Sequence, residues 1–562
     1  MTLPRYIPSP RQRCNEKTLK TYAAFLIFLI FSVVAFRLLR EVSDRRRQRP
    51  ASKTSGNHGL WVRLQAAFRF AERPVDLSRL GKPTLASALL LAVFLVGNTA
   101  LSTTNIALPH EVNYWASRFG WMAAANMAAC VFFGLKNTPL SPLAAVSHVE
   151  LNMFHRVVGY LAVFQTVVHA ILYTIHCHRQ HRLHTLLDEK NLYGIGAGVA
   201  MFVLLMGIYR HRAYEVFYAS HIIGCVVAVL LTAWHRPNWL KKLPLVMSII
   251  AAVWAFDRLI RAVRMMWNVI NNEVRIYPLP GGGTRLLLKK PGLKTVQPGS
   301  YCYLWIPRIR PFESHPYTVV NNGPAGLELM LKSHRGFSKA VGKFATRSPG
   351  RALWASVDGP YGCPPAVENY DCVVLVAGGS GAASTIGLMN SLLSSRKQAQ
   401  PRVIRFAWAV RQREHLSWFY DHIRNLCSAY PAMKASLYVS STGAKASDVS
   451  DDQVGDLEVV RNGLLSRDGV SNYGTIQGKD TTHTFQVVST LDDGNASIEL
   501  LSTKMDVDLV VEDALREVKD GQRVLLAACG PASLMDAVQE PARNWRDRRS
   551  IALDVHCESF DD

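Results

Sequence analysis

Apolar residues crowd into the first half of this chain, between Tyr22 and Trp267, as seven runs at about 21–38, 84–107, 113–134, 149–175, 191–209, 214–235 and 242–267. A helix needs roughly 20 residues to cross the hydrocarbon core of a bilayer. Inside lipid, every backbone N–H and C=O must find its partner within the protein. Only helices and closed barrels meet that demand. Long apolar runs without period-two alternation therefore predict a bundle of transmembrane helices. With 49% hydrophobic and 19% charged residues the chain is not a disordered one.

An odd number of spans puts the two ends of the bundle on opposite sides of the membrane. The net charge is +22, and twelve Lys or Arg fall between Arg37 and Lys82, among them Arg45, Arg46, Arg47 and Arg49. Positive loops stay inside, so this loop and the C-terminal half are expected in the cytosol. No nucleic-acid recognition motif accompanies the charge, which makes membrane lipid the expected partner and nucleic acid not. No small-residue cleavage site follows the first run, which reads as an uncleaved anchor. The ten cysteines form no CxxC pair, so neither a disulfide framework nor a zinc site is expected.

Four histidines repeat one spacing: His155 and His169 lie 14 residues apart in one apolar run, and His221 and His235 lie 14 apart in another. Fourteen residues make just under four helical turns, so both members of a pair face nearly the same way, roughly 21 Å apart along the axis. One span separates the two runs, so they point in the same direction. His155 is then level with His221, and His169 with His235. Each level offers two imidazoles across a gap, which is a bis-histidine haem site made twice. A lone membrane histidine would more simply be a polar contact or proton relay. Gly159 and Gly224, one turn beyond His155 and His221, are expected to leave room for a porphyrin, and Arg156 to pair with a propionate. His148 has no partner at matching depth. The outer loop 176–184, with His176, Cys177, His178, His181 and His184, could briefly hold a metal or be a solvated polar loop.

After Trp267 the pattern changes. Residues 273–365 alternate apolar and polar between glycine and proline turns, which reads as an all-β unit. His315, Pro316, Tyr317 and Thr318 sit there, with an aromatic beside a hydroxyl, as flavin stacking and N5 bonding need. Gly336 and Ser338, beside Lys332 and Arg335, could cradle a pyrophosphate. From Asp371 the chain reads as α/β. Gly378, Gly379, Ser380 and Gly381 lie between a strand and a helix, the context that puts phosphates on a helix N-terminus. The acid expected about 20 residues later is missing. Arg396, Lys397, Arg402, Arg405, Arg411 and Arg413 stand there instead, which suits the 2′-phosphate of NADPH, although each one singly could belong to a solvated face. Cys529, Gly530 and Pro531 close a later strand where a nicotinamide would approach the flavin. The polar stretch 443–504 reads as a flexible surface insertion.

As an ordered set, these residues resemble the ferric reductase and NADPH oxidase superfamily, and specifically the fungal ferric-chelate reductases. The likeness rests on the two histidine spacings, His155-Arg156 with Gly159, His315-Pro316-Tyr317-Thr318, the Gly359-Pro360-Tyr361-Gly362 turn, Gly378 to Gly381, and Cys529-Gly530-Pro531. It runs from about residue 84 to the end. It implies a multi-domain membrane protein: a tail, first anchor and basic cytoplasmic loop over 1–82, and an all-α six-helix haem bundle over 83–268. An all-β FAD-binding barrel over 272–365 and an α/β NADPH-binding domain over 370–562, ferredoxin-reductase-like, would follow.

The resemblance implies cofactors FAD, NADPH and two b-type haems, the latter held by His155, His169, His221 and His235. It gives catalytic roles to Cys529 and Thr318, stacking to Tyr317, phosphate contacts to Gly336 and Ser338, and a covering role to Glu558 and Phe560. The implied activity is NADPH-dependent reduction of extracellular ferric or cupric chelates at the plasma membrane, feeding a ferroxidase and permease uptake system. An NADPH oxidase making superoxide is the alternative within the family. A transporter or channel with a nucleotide-sensing domain is the alternative outside it. The chain departs from the family where Ala383 and Ser384 stand, since a proline can occur there, and after Phe560, where Asp561 and Asp562 replace threonine and an aromatic.

Overall fold

A computed structural model describes residues 8–47, 63–64, 67–68, 70–71, 73, 75, 77, 83–107, 111–140, 143, 148–205, 214–236, 242–289, 296–362, 364–394, 401–440, 472–477, 482–491, 497–519, 522–548 and 552–559. The chain divides into two units, Met1–Arg261 and Ala262–Asp562.

Each of the seven apolar runs carries a helix: α1 (Pro10–Arg47), α2 (Leu85–Thr103), α3 (Val112–Phe133), α4 (His148–Arg179), α5 (Glu189–Leu204), α6 (Tyr214–His235) and α7 (Leu243–Val269). Among the described residues, α1, α2, α4, α6 and α7 contain segments long and apolar enough to cross a membrane. The protein is an integral membrane protein.

Polar side chains tie the first four helices together. Tyr22 of α1 donates to Asn126 Oδ1 of α3 at 2.8 Å, and Asn98 of α2 donates to the same oxygen at 2.9 Å. Asn126 in turn donates to Gln165 of α4 at 2.8 Å, and Gln165 donates to Asn98 at 2.8 Å and to Ser102 at 3.0 Å. All five polar groups are satisfied within the knot, as a hydrocarbon environment requires. Arg118 of α3, 1% exposed, gives its Nε to Asn15 at 2.7 Å and its terminal nitrogens to the carbonyls of Leu101, Thr104 and Asn105. It caps the C-terminal end of α2, where the helix dipole favours a cation. The first helix is thus more than an anchor: it is bonded into the bundle at Asn15 and Tyr22.

The second unit holds two sheets. Strands β1 (Glu273–Leu279), β2 (Gly283–Lys289), β3 (Tyr301–Trp305), β4 (His315–Gly323), β5 (Gly326–Lys332), β6 (Ala352–Trp354) and β7 (Ser356–Tyr361) form an antiparallel sheet in the order β6-β1-β2-β5-β4-β3-β7. Its alternating strands bury Val274, Ile276, Leu286, Leu304 and Leu329 in one core that helix α8 (Gly336–Arg347) covers with Phe337 and Val341.

The second sheet contains β8 (Cys372–Gly378), β9 (Val403–Val410), β10 (Met433–Val439), β11 (Asn472–Gln477), β12 (Thr482–Leu491), β13 (Ser497–Leu501), β14 (Arg523–Gly530) and β15 (Ala552–Ser559), in the order β11-β12-β13-β10-β9-β8-β14-β15. Strands β13 through β15 in that order run parallel. The chain winds outward from β8 through β9 and β10 in one direction, and later resumes at β14 on the other side of β8. That reversal is a topological switch point, and ligands of such sheets bind outside the carboxyl ends of the strands there.

One expectation fails. The stretch 443–504 is not all surface insertion, because β13 pairs with β10 and buries Ile498 and Leu500 at 3% and 2% exposure. Ile498→Ala is therefore expected to destabilise this unit by about 2–5 kcal/mol, a core cost, where a surface site would lose under about 0.5. The check is the thermal unfolding midpoint of the full-length protein in detergent, which should fall by several degrees.

Candidate functional site

The two histidine couples meet as the spacing requires. The rings of His155 and His221 have centroids 6.1 Å apart, and those of His169 and His235 6.2 Å apart, with planes crossed at 61° and 79°. Two imidazoles that each reach a shared metal ion through Nε2, with bonds of about 2 Å, have ring centroids about 6 Å apart. The separation at both levels fits one iron between each couple.

The tautomers fit too. Nδ1 of His155 lies 2.9 Å from the Cys130 carbonyl, Nδ1 of His169 lies 2.7 Å from that of Ala116, and Nδ1 of His235 lies 2.7 Å from that of Lys190. A carbonyl only accepts, so each Nδ1 carries the proton and each Nε2 keeps a lone pair for a metal. His221 differs: the Leu204 backbone faces it, but among the described residues its Nδ1 has no partner within hydrogen-bond geometry.

Such contacts need bare backbone opposite the rings. A Cβ on Gly120 would come 3.0 Å from Nδ1 of His169, one on Gly134 3.2 Å from Nδ1 of His155, and one on Gly194 2.6 Å from Nδ1 of His235. Sequence reasoning missed these three glycines. It chose Gly159 and Gly224, which pack instead against Cys130 Sγ and Leu204 Cδ2. The signal was present: Ala116 and Cys130 lie 14 residues apart, as do Gly120 and Gly134. The spacing of the histidines is thus repeated in the residues that orient them.

In the second unit, His315, Pro316, Tyr317 and Thr318 open β4. The His315 ring stacks on Phe337 at 5.0 Å and Tyr317 lies 6.3 Å from the same ring. Phe337 follows Gly336, which has φ +56° and starts α8. The N-cap residue of that helix, Arg335, makes no side-chain capping bond, and Ser338 accepts from the backbone of His334 at 3.1 Å. The aromatic pair and an uncapped helix N-terminus stand together, which suits a flavin and its pyrophosphate. Burial pushes the Tyr317 hydroxyl well above its usual value.

The two glycine motifs of the α/β part also converge. Gly378 ends β8, a turn of Gly379, Ser380 and Gly381 follows, and helix α9 (Ala382–Ser394) begins. A Cβ on Gly381 would strike the Cys529 carbonyl at 2.2 Å, and one on Gly378 would meet Pro531 at 2.9 Å. Gly379 has φ +55° and open space before it. Both motifs therefore sit at the switch point between β8 and β14. Cys529 is buried there, and its thiol is pushed up to about 12 by burial, with the Glu558 carboxylate adding to the effect.

Arg411, just past β9, lines a cavity of about 530 Å³ with Lys332, Gln412, His415, Ser440 and Gly281. Arg405 does not join it: buried in β9, it pairs with Asp513 at 2.8 Å and with Glu517. Phe560, Arg396 and Lys397 lie outside the described residues. The expected outer loop is partly helical, since α4 continues through His176 and His178 to Arg179. Cys177 is buried with its thiol 3.6 Å from the Thr185 hydroxyl. Among the described residues, no three His, Cys, Asp or Glu side chains gather to hold a metal ion.

Residues 119–232 match the family model of the ferric reductase like transmembrane component. Residues 266–365 match an FAD-binding domain, and 370–542 the ferric reductase NAD binding domain. A probable cell surface ferric reductase of Aspergillus oryzae is 25% identical over 454 residues, covering 73% of this chain and 59% of that protein. A ferric/cupric reductase transmembrane component of Candida albicans is 23% identical over 453 residues, covering 79% and 56%. Among solved structures, a ferredoxin NADP+ reductase from Neisseria gonorrhoeae with bound FAD and NADP aligns with 51% of this chain and 97% of its own at 13% identity, TM-score 0.31. The chain spans under two thirds of the length of both curated relatives.

A thiol titrating at about 12 stays protonated and unreactive at neutral pH. Cys529 is expected to resist iodoacetamide between pH 7 and 9 and to yield only when the unit unfolds. Peptide mass spectrometry of the alkylated protein checks this, and rapid labelling at pH 7 would contradict it.

Proposed function

We propose that this chain, which resembles the ferric reductases through its membrane, flavin and nucleotide segments in turn, is a transmembrane metalloreductase. It carries electrons from cytosolic NADPH to a ferric or cupric chelate across the plasma membrane. The observation that carries this reading is the pair of imidazole couples, 6.1 and 6.2 Å between ring centres, with three of the four Nδ1 atoms committed to carbonyls. Residues aimed in this way at two levels of one bundle suit two haems better than they suit a transporter. FAD and two b-type haems, when bound, supply the passage from two-electron to one-electron chemistry.

The chain's own residues place and tune those groups. His155 with His221, and His169 with His235, would hold the two haem irons through their unprotonated nitrogens. Tyr317 would cover a bound flavin ring, Thr318 would offer a hydroxyl to it, and Gly336 with Ser338 and the start of α8 would receive its pyrophosphate. Gly378 to Gly381 leave space for the phosphates of NADPH, with Arg411 and Lys332 toward its 2′-phosphate. Gly530 and Pro531 would keep the strand end low beside a bound nicotinamide, where Cys529 would present a neutral thiol. The basic segment from Arg37 to Lys82 supports a cytosolic C-terminal unit. The reduced metal would then be available to a ferroxidase and permease uptake system.

Two measurements test this. Purified wild-type protein is expected to show a low-spin b-type signature in its reduced-minus-oxidised spectrum and to reduce ferric chelates faster than it makes superoxide. His169→Ala should lose one of the two haems and all chelate reduction, while reduction of flavin by NADPH survives. Iron reduction unchanged in that variant, or a wild type with no haem spectrum, would sink the reading. Separately, Arg411→Ala should lower kcat/KM for NADPH by about 10- to 100-fold and leave NADH within about twofold, as loss of one charge-assisted bond implies. Steady-state kinetics with both nucleotides decides this.

A further inference from the structure

Ser384, the third residue of α9, is 4% exposed, and its hydroxyl donates to Oε2 of Glu558 at 3.1 Å. Nε2 of His556 lies 3.2 Å from the other oxygen of that carboxylate. Glu558 is the register partner of Cys529 across β14 and β15, so its carboxylate stands at the strand end where Gly381 presses on Cys529. One oxygen is thus engaged from the carboxylate's own strand and the other from the helix that follows the glycine turn. With 45% of its side chain exposed, an unrestrained glutamate here would sample several rotamers. Two partners on opposite oxygens select one.

We propose that Ser384 is a positioning residue of the hydride-transfer site: its hydroxyl fixes the Glu558 carboxylate beside Cys529, where the nicotinamide meets the flavin. The proposal rests on the NADPH and flavin reading above. A hydride leaving the dihydronicotinamide for the flavin takes two electrons with it, oxidises the one ring and reduces the other, and leaves positive charge on the nicotinamide. An ionised carboxylate held at that edge stabilises the charge as it develops. The titratable groups that face Glu558 are His556 on β15 and Cys529 on β14, with the Ser384 hydroxyl opposite on α9. Burial pushes the Glu558 carboxyl up. The bonds from His556 and Ser384 and the His556 charge outweigh burial and hold the carboxyl below its usual value. Its ionised form is kept as pH falls, until the pH reaches that depressed value. Removing the serine bond raises the value, so protonation sets in at higher pH.

The test uses the full-length FAD-loaded protein as wild type, Ser384→Ala and Ser384→Thr. Infrared titration of the resting protein without NADPH follows the carboxyl band that Glu558→Gln removes. Stopped-flow reduction of the flavin by NADPH is followed from pH 3.5 to 8, a range that reaches below the usual carboxylate value. In Ser384→Ala the carboxyl midpoint and the acid limb of flavin reduction should both rise by about one pH unit, with NADPH KM within about twofold. Ser384→Thr, which keeps the hydroxyl, should restore both. Alanine is a good helix residue, so the fold is kept at this position. A Ser384→Ala protein that titrates and reacts like wild type overturns the proposal, as does a carboxyl midpoint that moves while the rate profile stays. A wild type whose flavin NADPH does not reduce at any pH overturns the functional reading itself, and that failure appears before any variant is compared.

Discussion

The membrane unit is organised around hydrogen bonds from imidazole Nδ1 to backbone carbonyls on neighbouring helices. Helix carbonyls are already engaged along their own axis, so a ring reaches one from the side only if the helix comes close. Glycine provides that approach at 120, 134 and 194, each placed four residues after the acceptor that it uncovers. The ring is then locked in orientation and tautomer together, with the ring centroids of the α4 and α6 histidines 6.1 and 6.2 Å apart. Imidazole geometry in this unit is therefore a property of helix spacing, and helix spacing is fixed by residues away from the rings.

The polar knot of Tyr22, Asn98, Ser102, Asn126 and Gln165 has that role. Asn126 lies between Gly120 of α3 and Gly134 at its C-cap, and Gln165 between His155 and His169 in α4. A bond between them pins the register of these antiparallel helices between their two histidine contacts. A slip of one residue would carry a ring past its glycine at both levels. Apolar packing alone distinguishes such registers weakly inside lipid, where hydrocarbon competes equally for each face, whereas a satisfied amide pair does not tolerate the slip.

Much of this was legible from sequence where the physics is local. The period of a helix makes a 14-residue spacing a statement about one face, and so the couples were readable without a structure. Strand, glycine turn and helix around Gly378 were readable for the same reason. What acts on the histidines was hidden, because a carbonyl acceptor leaves no mark on residue type and Ala116 or Lys190 looks like any other helix residue. Only the echo of the same spacing in Gly120 and Gly134 betrays it. Arg405 was misread because charge was counted without its strand face, and β9 turns it toward Asp513 and Glu517 on helix Val507–Arg516 and just beyond it. Strand β13 was lost in a polar neighbourhood, although Ser497 to Leu501 carries two core residues at alternate positions.

The C-terminal unit solves a different problem with the same economy of side chains. At the switch point two parallel strands end side by side, and their last residues are Gly378 and Gly530, with Gly381 and Pro531 close behind. A side chain at any of the three glycines would collide with the facing backbone or with Leu534. The result is a shallow edge made of backbone, with Cys529 buried beneath it and Glu558 standing at its side. A flat nicotinamide needs such an edge to lie parallel to a flavin, and a neutral thiol lets it do so without bringing a charge against either ring. Glu558 brings a carboxylate to that edge. That it is gripped at both oxygens, by Ser384 and His556, is the arrangement expected of a charge whose place matters more than its presence.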